Sequence, residues 1–294
     1  MSEKRSTLAG LAFTAPWLLG ASVFLFLPMF LSAWYSLTDY PILKAPVFVG
    51  LANYTELLGD ARFWRVVMHT AIFAAISIPL STAVSLVLAA LVATPGLRFA
   101  NLYKAIIFVP TLVPMMASAM IWLWLFNGQY GLINGLLAAV GFANGPNWLT
   151  DEWFVIPAVV IASLWGVGQA VVVYAAAMKE VPRELYEAAG IDGMGVLSRF
   201  WHVTMPMISP VILFNVVTLL IGTLQIFALP YVLFRNERGQ NASGDFYTLM
   251  LYDNAFVNQR MGYASAMAWL QMVVILVLTG IMFAASRKLV HYRA

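Results

Sequence analysis

The sequence predicts an all-α membrane protein with six transmembrane helices. Three observations carry this reading. Only 10% of the 294 residues are charged and 62% are hydrophobic, whereas a soluble domain is about 25% charged. A helix needs about 20 mostly apolar residues to cross a bilayer, and six segments qualify: 11–35, 66–93, 105–126, 154–178, 207–232 and 263–286. Every Lys, Arg, Asp and Glu falls outside these cores.

The first segment opens with MSEKRSTLAGLAF and stays apolar over 8–37. That run exceeds the roughly 7–15 residues of a secretory signal core, so an uncleaved first span is expected. The second segment carries Ser77, Ser81 and Ser85, which suit helix packing. Pro79, Pro110, Pro114, Pro157, Pro210 and Pro230 fall within the spans. Lipid-embedded helices tolerate them when neighbours satisfy the freed carbonyls, and together they suggest kinked helices around a path. The apolar piece at 132–140 is too short to cross and reads as an interfacial helix.

Positive charge sets orientation. One side carries ten basic residues: Lys4, Arg5, Arg98, Lys104, Lys179, Arg183, Arg199, Arg287, Lys288 and Arg293. The other carries six: Lys44, Arg62, Arg65, Arg235, Arg238 and Arg260. This bias puts both termini in the cytoplasm and the polar stretches 38–65 and 235–260 outside. The chain has no cysteine, which excludes disulfides, thiolate metal sites and cysteine nucleophiles. No basic run suggests nucleic acid. The three histidines lie in different parts of the chain, His69 towards the outer side, His202 in a cytoplasmic loop and His291 in the tail. No metal site and no catalytic centre is expected.

Between the fourth and fifth spans lies RELYEAAGIDGMGVLSRFWHVTMP, residues 183–206. Pro182 suits a first helical position, RELYEAA favours helix, and Gly190 and Gly193 suit its end. About two turns of helix are too few to be stable alone, so the bilayer surface or a partner must hold them. The residues leave both readings open.

Within this stretch Glu187-Ala188-Ala189, three residues, Gly193, nine residues, Val203, one residue, Met205, Pro206 resembles the EAA loop of binding-protein-dependent ABC importer permeases. Their pattern is E-A-A-x3-G-x9-I-x-L-P. The stretches GLANYTELLGDARFW, YGLINGLL and LYDNAFVNQRMGYASAMA are similar to the carbohydrate (maltose and glycerol-3-phosphate type) branch. FRNERGQNASGDF departs from the Thr-x-Gly-Gly-Pro turn that relatives often carry there.

The resemblance implies a type I importer permease fold. It divides the chain into 1–65 (tail, first span, external loop), 66–286 (a five-helix transmembrane domain with its EAA loop at 179–206) and a cytoplasmic tail, 287–294. It also implies that Glu187, Ala188, Ala189, Gly193 and Pro206 couple the chain to a cytoplasmic ATPase. The expected partners are a second, homologous permease, a dimer of ATP-binding subunits, an extracytoplasmic solute-binding protein and the membrane lipid. The expected location is a bacterial or archaeal cytoplasmic (inner) membrane, multi-pass. The chain lacks a Gly-x4-Gly-Lys-[Ser/Thr] phosphate loop; it would bind no cofactor, and ATP and Mg would belong to the ATPase.

Asn215, Thr218, Gly222 and Gln225 share one helical face, and Ser163, Gly166 and Gln169 recur at spacing three. Such polar faces at lipid depth either line a path or glue helices together. A path would run past Gly166, Gln169, Asn215, Thr218, Gly222 and Gln225, with Trp165 or Phe227 as a stacking surface for a hydroxyl-rich solute. No acid or base sits at mid-span, which disfavours an ion-coupled secondary transporter and a strongly charged cargo. The expected function is a sugar importer's permease subunit, with a glycerol-3-phosphate importer as the alternative.

Overall fold

The computed structural model describes residues 13–94, 96–142, 144–235 and 238–289. The readings on Lys4, Arg5, His291 and Arg293 lie outside the described residues, as do the first residues of the first span. Among the described residues, four helical runs are long and apolar enough to cross a membrane: Phe13–Ser36, Ala61–Ala93, Val196–Phe234 and Met261–Arg287. Two further segments are bent pairs, Ala100–Leu112 with Met115–Leu125 and Glu152–Leu164 with Gly168–Lys179. Six spans result if each pair counts as one.

The third and fourth segments therefore depart from straight helices, by 95° and 52° respectively. The larger bend has a local cause. Val113, held before Pro114, is extended at φ −73° and ψ 126°, because the proline ring disfavours helical geometry in the preceding residue. The smaller bend falls at the turn containing Gly166. The fifth segment also breaks: helix Met205–Leu224 stops, and Ala228–Phe234 restarts after Phe227 at φ −131°. Pro230 has no amide to offer the carbonyl four residues back, so a break at 225–227 leaves that carbonyl outside a helix. Pro79, Pro157 and Pro210 sit inside continuous helices. The short apolar piece is a helix at Leu132–Ala139.

The chain forms two compact units. The first comprises Met1–Phe63 and Met250–Val274. Its span ends at Ser36 and leads into a two-stranded antiparallel hairpin, Thr38–Asp39 with Val47–Phe48. Asn53 donates from Nδ2 to the carbonyls of Ser36 and Thr38, each at 2.9 Å. Arg260 forks onto both carboxylate oxygens of Glu56 at 2.7 and 2.6 Å and lies over the Tyr263 ring. A Cβ on Gly262 would come within 2.0 Å of the Thr38 carbonyl oxygen.

The second unit, Trp64–Leu249 with Ile275–Ala294, has two apolar cores. One gathers Phe73, Phe126, Val155, Val159, Phe234 and Phe246; the other gathers Leu86, Ala89, Val171, Tyr174, Ala175 and Ile208. Gly168 lets helix Gly168–Lys179 approach the third segment's backbone, since a Cβ there would meet the Ile107 carbonyl oxygen at 2.3 Å. The polar stretch 235–260, expected to lie on the outer side, is largely buried over 243–250 and helical at Tyr247–Tyr252. Two of its polar groups face partners inside, Asp245 facing Arg238 at 3.2 Å and the Tyr247 amide donating to Thr70 Oγ1 at 3.0 Å, while the Ser243 hydroxyl is buried without a hydrogen-bond partner.

Candidate coupling loop and polar path

The loop helix spans Arg183–Ile191, with Pro182 as its N-cap rather than its first residue. Glu184 lies in the first turn, where a negative charge meets the positive end of the helix. The helix runs through Gly190 and stops at Gly193, whose φ of +75° is left-handed. The Gly193 amide donates to Gly190 and the Met194 amide to Ala189, at 3.1 and 2.9 Å. These two bonds form a Schellman ending, which favours glycine at the left-handed position.

Two hydrogen bonds tie this short helix and its ending to the start of the fifth segment. Tyr186 and Thr204 share a hydroxyl–hydroxyl bond of 2.9 Å. Arg199 Nε donates to the Met194 carbonyl at 2.8 Å. A Cβ on Gly190 would lie 3.4 Å from the Arg199 guanidinium, about an ordinary van der Waals contact. Between the loop and helix Met205–Leu224 sits a π-helical turn, Phe200–Thr204.

The EAA residues therefore face different ways. Glu187 and Ala188 are exposed, Ala189 is buried within the chain, Gly193 shapes the turn, and half-buried Pro206 opens helix Met205–Leu224. The short helix leaves a small outward surface of Glu187 and Ala188. Leu185, on the apolar side expected for this helix, is exposed as well, and so are three apolar side chains that the sequence reading did not single out, Ile191, Val196 and Leu197, Ile191 at 88%. Their signal was present in the sequence, Ile191 just before the glycine-rich turn and the adjacent pair Val196–Leu197 just after it.

The polar faces divide in a similar way. Asn215 donates to the Val211 carbonyl at 2.9 Å and Thr218 to the Phe214 carbonyl at 2.8 Å, so both side chains bond back to their own helix. Thr218, Gly222 and Gln225 are exposed, together with Phe214, while Asn215 is half-buried. Gln225 lies at the helix end rather than on a continuing turn. Gly166 and Gln169 are also exposed. Helices Gly168–Lys179 and Met205–Leu224 meet through apolar residues such as Tyr174, Ile208 and Ile212, and no hydrogen bond joins Gln169 to the second polar face among the described residues. Trp165 packs edge-on against Trp122 at 6.1 Å, and Phe227 against Tyr231 at 5.1 Å.

Trp122 adds a feature that sequence spacing did not mark. Its indole N–H is buried without a hydrogen-bond partner, a costly state that in native proteins calls for an explanation. Among the described residues, no three His, Asp or Glu side chains come together to hold a metal ion. His69 contacts the Asp245 carbonyl and His202 the Ser198 carbonyl.

Residues 81–291 match the family described as binding-protein-dependent transport system inner membrane component. The chain is 31% identical over 295 aligned residues to a probable ABC transporter permease, YesP, of Bacillus subtilis, covering 100% of this chain and 95% of the relative. It is 32% identical over 282 residues to the lactose transport permease LacF of Rhizobium radiobacter, covering 95% and 94%. In fold it matches a chain of a bacterial ABC transporter that imports alginate, at a TM-score of 0.84 and 22% identity, over 97% of this chain and 96% of that one. A match across most of the chain, spanning the loop, both bent segments and the last span, shows that this protein belongs to the family of inner-membrane permease components of binding-protein-dependent ABC transporters.

Proposed function

We propose that this chain is one of two permease subunits of an ATP-driven importer for a neutral sugar. The loop helix carries the reading. Its exposed Glu187 and Ala188, with Leu185, Ile191, Val196 and Leu197 exposed in the same loop, offer a small mixed surface on a helix too short to stand alone. Such a surface suits a cleft on a cytoplasmic ATPase. Ala189 and Gly193 serve it indirectly, Ala189 by seating the helix on the chain and Gly193 by turning the chain back. The Tyr186–Thr204 bond and the π-turn at Phe200–Thr204 connect movement of the helix to the fifth segment through Pro206.

In this reading the loop and both termini face the cytoplasm of a bacterial or archaeal cell, as the ten-to-six bias of positive residues supports. ATP and Mg bind on a pair of ATPase subunits, a second, homologous permease completes the path, and an extracytoplasmic binding protein delivers the cargo. The lactose relative and the lack of a mid-span charge favour a sugar. The uncovered face of Thr218, Gly222 and Gln225, with Gly166 and Gln169 from the fourth segment, would line the cargo's route, and Asn215 would support it from the half-buried side.

The test is uptake and ATPase activity in vesicles that hold the complete transporter. Glu187→Lys should leave the chain inserted and lower sugar-stimulated ATP hydrolysis and uptake together by at least about tenfold, which corresponds to about 1.4 kcal/mol of lost contact. Ala188→Cys should crosslink to the ATPase. Normal uptake by the lysine variant, with no crosslink, would refute the assignment.

A further inference from the structure

The segment that follows the first span is an apolar finger. From Pro41 to Leu51 the sequence reads PILKAPVFVGL, with Lys44 as its one charged residue and no acid. Folding does not bury it. Leu43 is 80% exposed, Leu51 65%, Val47 64% and Phe48 61%. Both residues of the second strand, Val47 and Phe48, are uncovered although they point to opposite faces. The finger is nevertheless ordered: Thr38 pairs with Phe48, Asp39 with Val47, a turn closes from the Lys44 amide to the Pro41 carbonyl at 2.8 Å, and the Met261 amide holds the Tyr40 carbonyl at 2.9 Å.

Its place relative to the bilayer follows from one ring contact. Trp34, two residues before the end of the span, stacks on Phe48 with centroids 5.7 Å apart and planes 20° from parallel. The span it closes is unburied within the chain, and tryptophan at a span's end marks the membrane–water boundary. The stack continues the lipid-facing surface of the span directly onto the second strand. Lys44 at the turn is exposed and can hold its ammonium among lipid phosphates while its stem lies on apolar surface.

We propose that this finger, residues 41–51, lies in the headgroup–acyl boundary of the leaflet at that end of the span, a lipid-bound anchor with Leu43, Val47 and Phe48 inserted and Lys44 on the phosphates. A docked protein is the competing occupant. The Trp34–Phe48 stack and the absence of an acid within 41–51 favour lipid, with exposed Asp39, opposite Val47, left at headgroup level beside Lys44; neither feature depends on the cargo.

The chain contains no cysteine, so single probes can be placed cleanly. Leu43→Cys and Val47→Cys would carry an environment-sensitive nitrobenzoxadiazole label, with Thr55→Cys, on the exposed side of helix Ala52–Gly59, as the reference. The assembled transporter would sit in phosphatidylcholine–phosphatidylglycerol nanodiscs, with and without lipids bearing a nitroxide at the top of the acyl chain. A label held about 5–10 Å into the boundary should be quenched at least about twofold more at positions 43 and 47 than at 55, with or without the binding protein. Equal quenching at all three positions would overturn the proposal. So would labels that lipid nitroxides do not reach, or that are shielded only when the binding protein is added.

Discussion

At the residue scale, geometry separates side chains that the sequence presents as equals. The glycines show this most plainly. Gly262 meets a backbone carbonyl at the position a Cβ would take, whereas Gly280 has nothing within 4 Å. Gly262→Ala must therefore push two backbone segments apart and should cost about 1–3 kcal/mol, seen as a lower unfolding temperature in detergent. Gly280→Ala should leave that temperature unchanged or raise it, because alanine is the better helix former; equal effects from both would contradict the packing described. The polar residues divide too. Asn215 and Thr218 satisfy themselves within their helix, while Gln225 sits exposed at a helix end without such a bond. Gln225→Leu should reduce sugar uptake about tenfold, the loss of roughly one good hydrogen bond, with ATPase attachment intact. Unchanged uptake would return this residue to a packing role.

At the element scale, the instructive segment is 238–246, part of the stretch where the family resemblance leads us to expect a departure from a Thr-x-Gly-Gly-Pro turn. The departure is compact. Gly239 adopts a left-handed φ of +73°, and Gly244 admits the Phe234 ring at a distance a side chain would forbid. The Gln240 amide reaches the Thr150 carbonyl at 2.7 Å, and Asn241 donates to Glu152 at 2.7 Å. Asp245 is buried and faces Arg238 at 3.2 Å, off the line of a good hydrogen bond, so the pair is held chiefly by charge. Removing one partner of such a pair strands the other. The arginine is 27% exposed and water can reach it, so Asp245→Ala should cost about 2–3 kcal/mol, below the 3–5 of a fully buried pair. Limited proteolysis at the 238–246 segment reads this directly. A cleavage pattern like that of the parent chain would show that the ion pair does not hold the segment. The loop with helix Arg183–Ile191 is an element of the same kind: it holds its place through Tyr186–Thr204 and Arg199–Met194 rather than through length.

At the scale of the whole molecule, the chain exposes far more apolar surface than a soluble protein carries, and the first span is unburied within it. Lipid and a partner permease account for that surface in the proposed assembly. In that proposed assembly the loop helix would present exposed Glu187 and Ala188 to an ATPase, and the chain carries no phosphate loop of its own. A secondary transporter would need a coupling charge inside the bilayer, and the cores of the six segments hold none.

The sequence by itself determined the membrane class, the number of apolar segments, the loop pattern and the family, because those depend on composition and spacing, which are local. It also marked Gly193 as a helix stop, since a left-handed turn favours glycine wherever it occurs. Tertiary structure decided the rest. It turned Ala189 inward and Ala188 outward, bent the third segment by 95° where proline spacing alone allowed anything from a kink to none, and buried a stretch, 243–250, that looked like polar loop. Each outcome depends on which distant group stands opposite: Arg238 for Asp245, Thr70 for Tyr247, Ile107 for Gly168. Such pairings arise from packing between segments far apart in the chain, and no period or propensity along the chain encodes them.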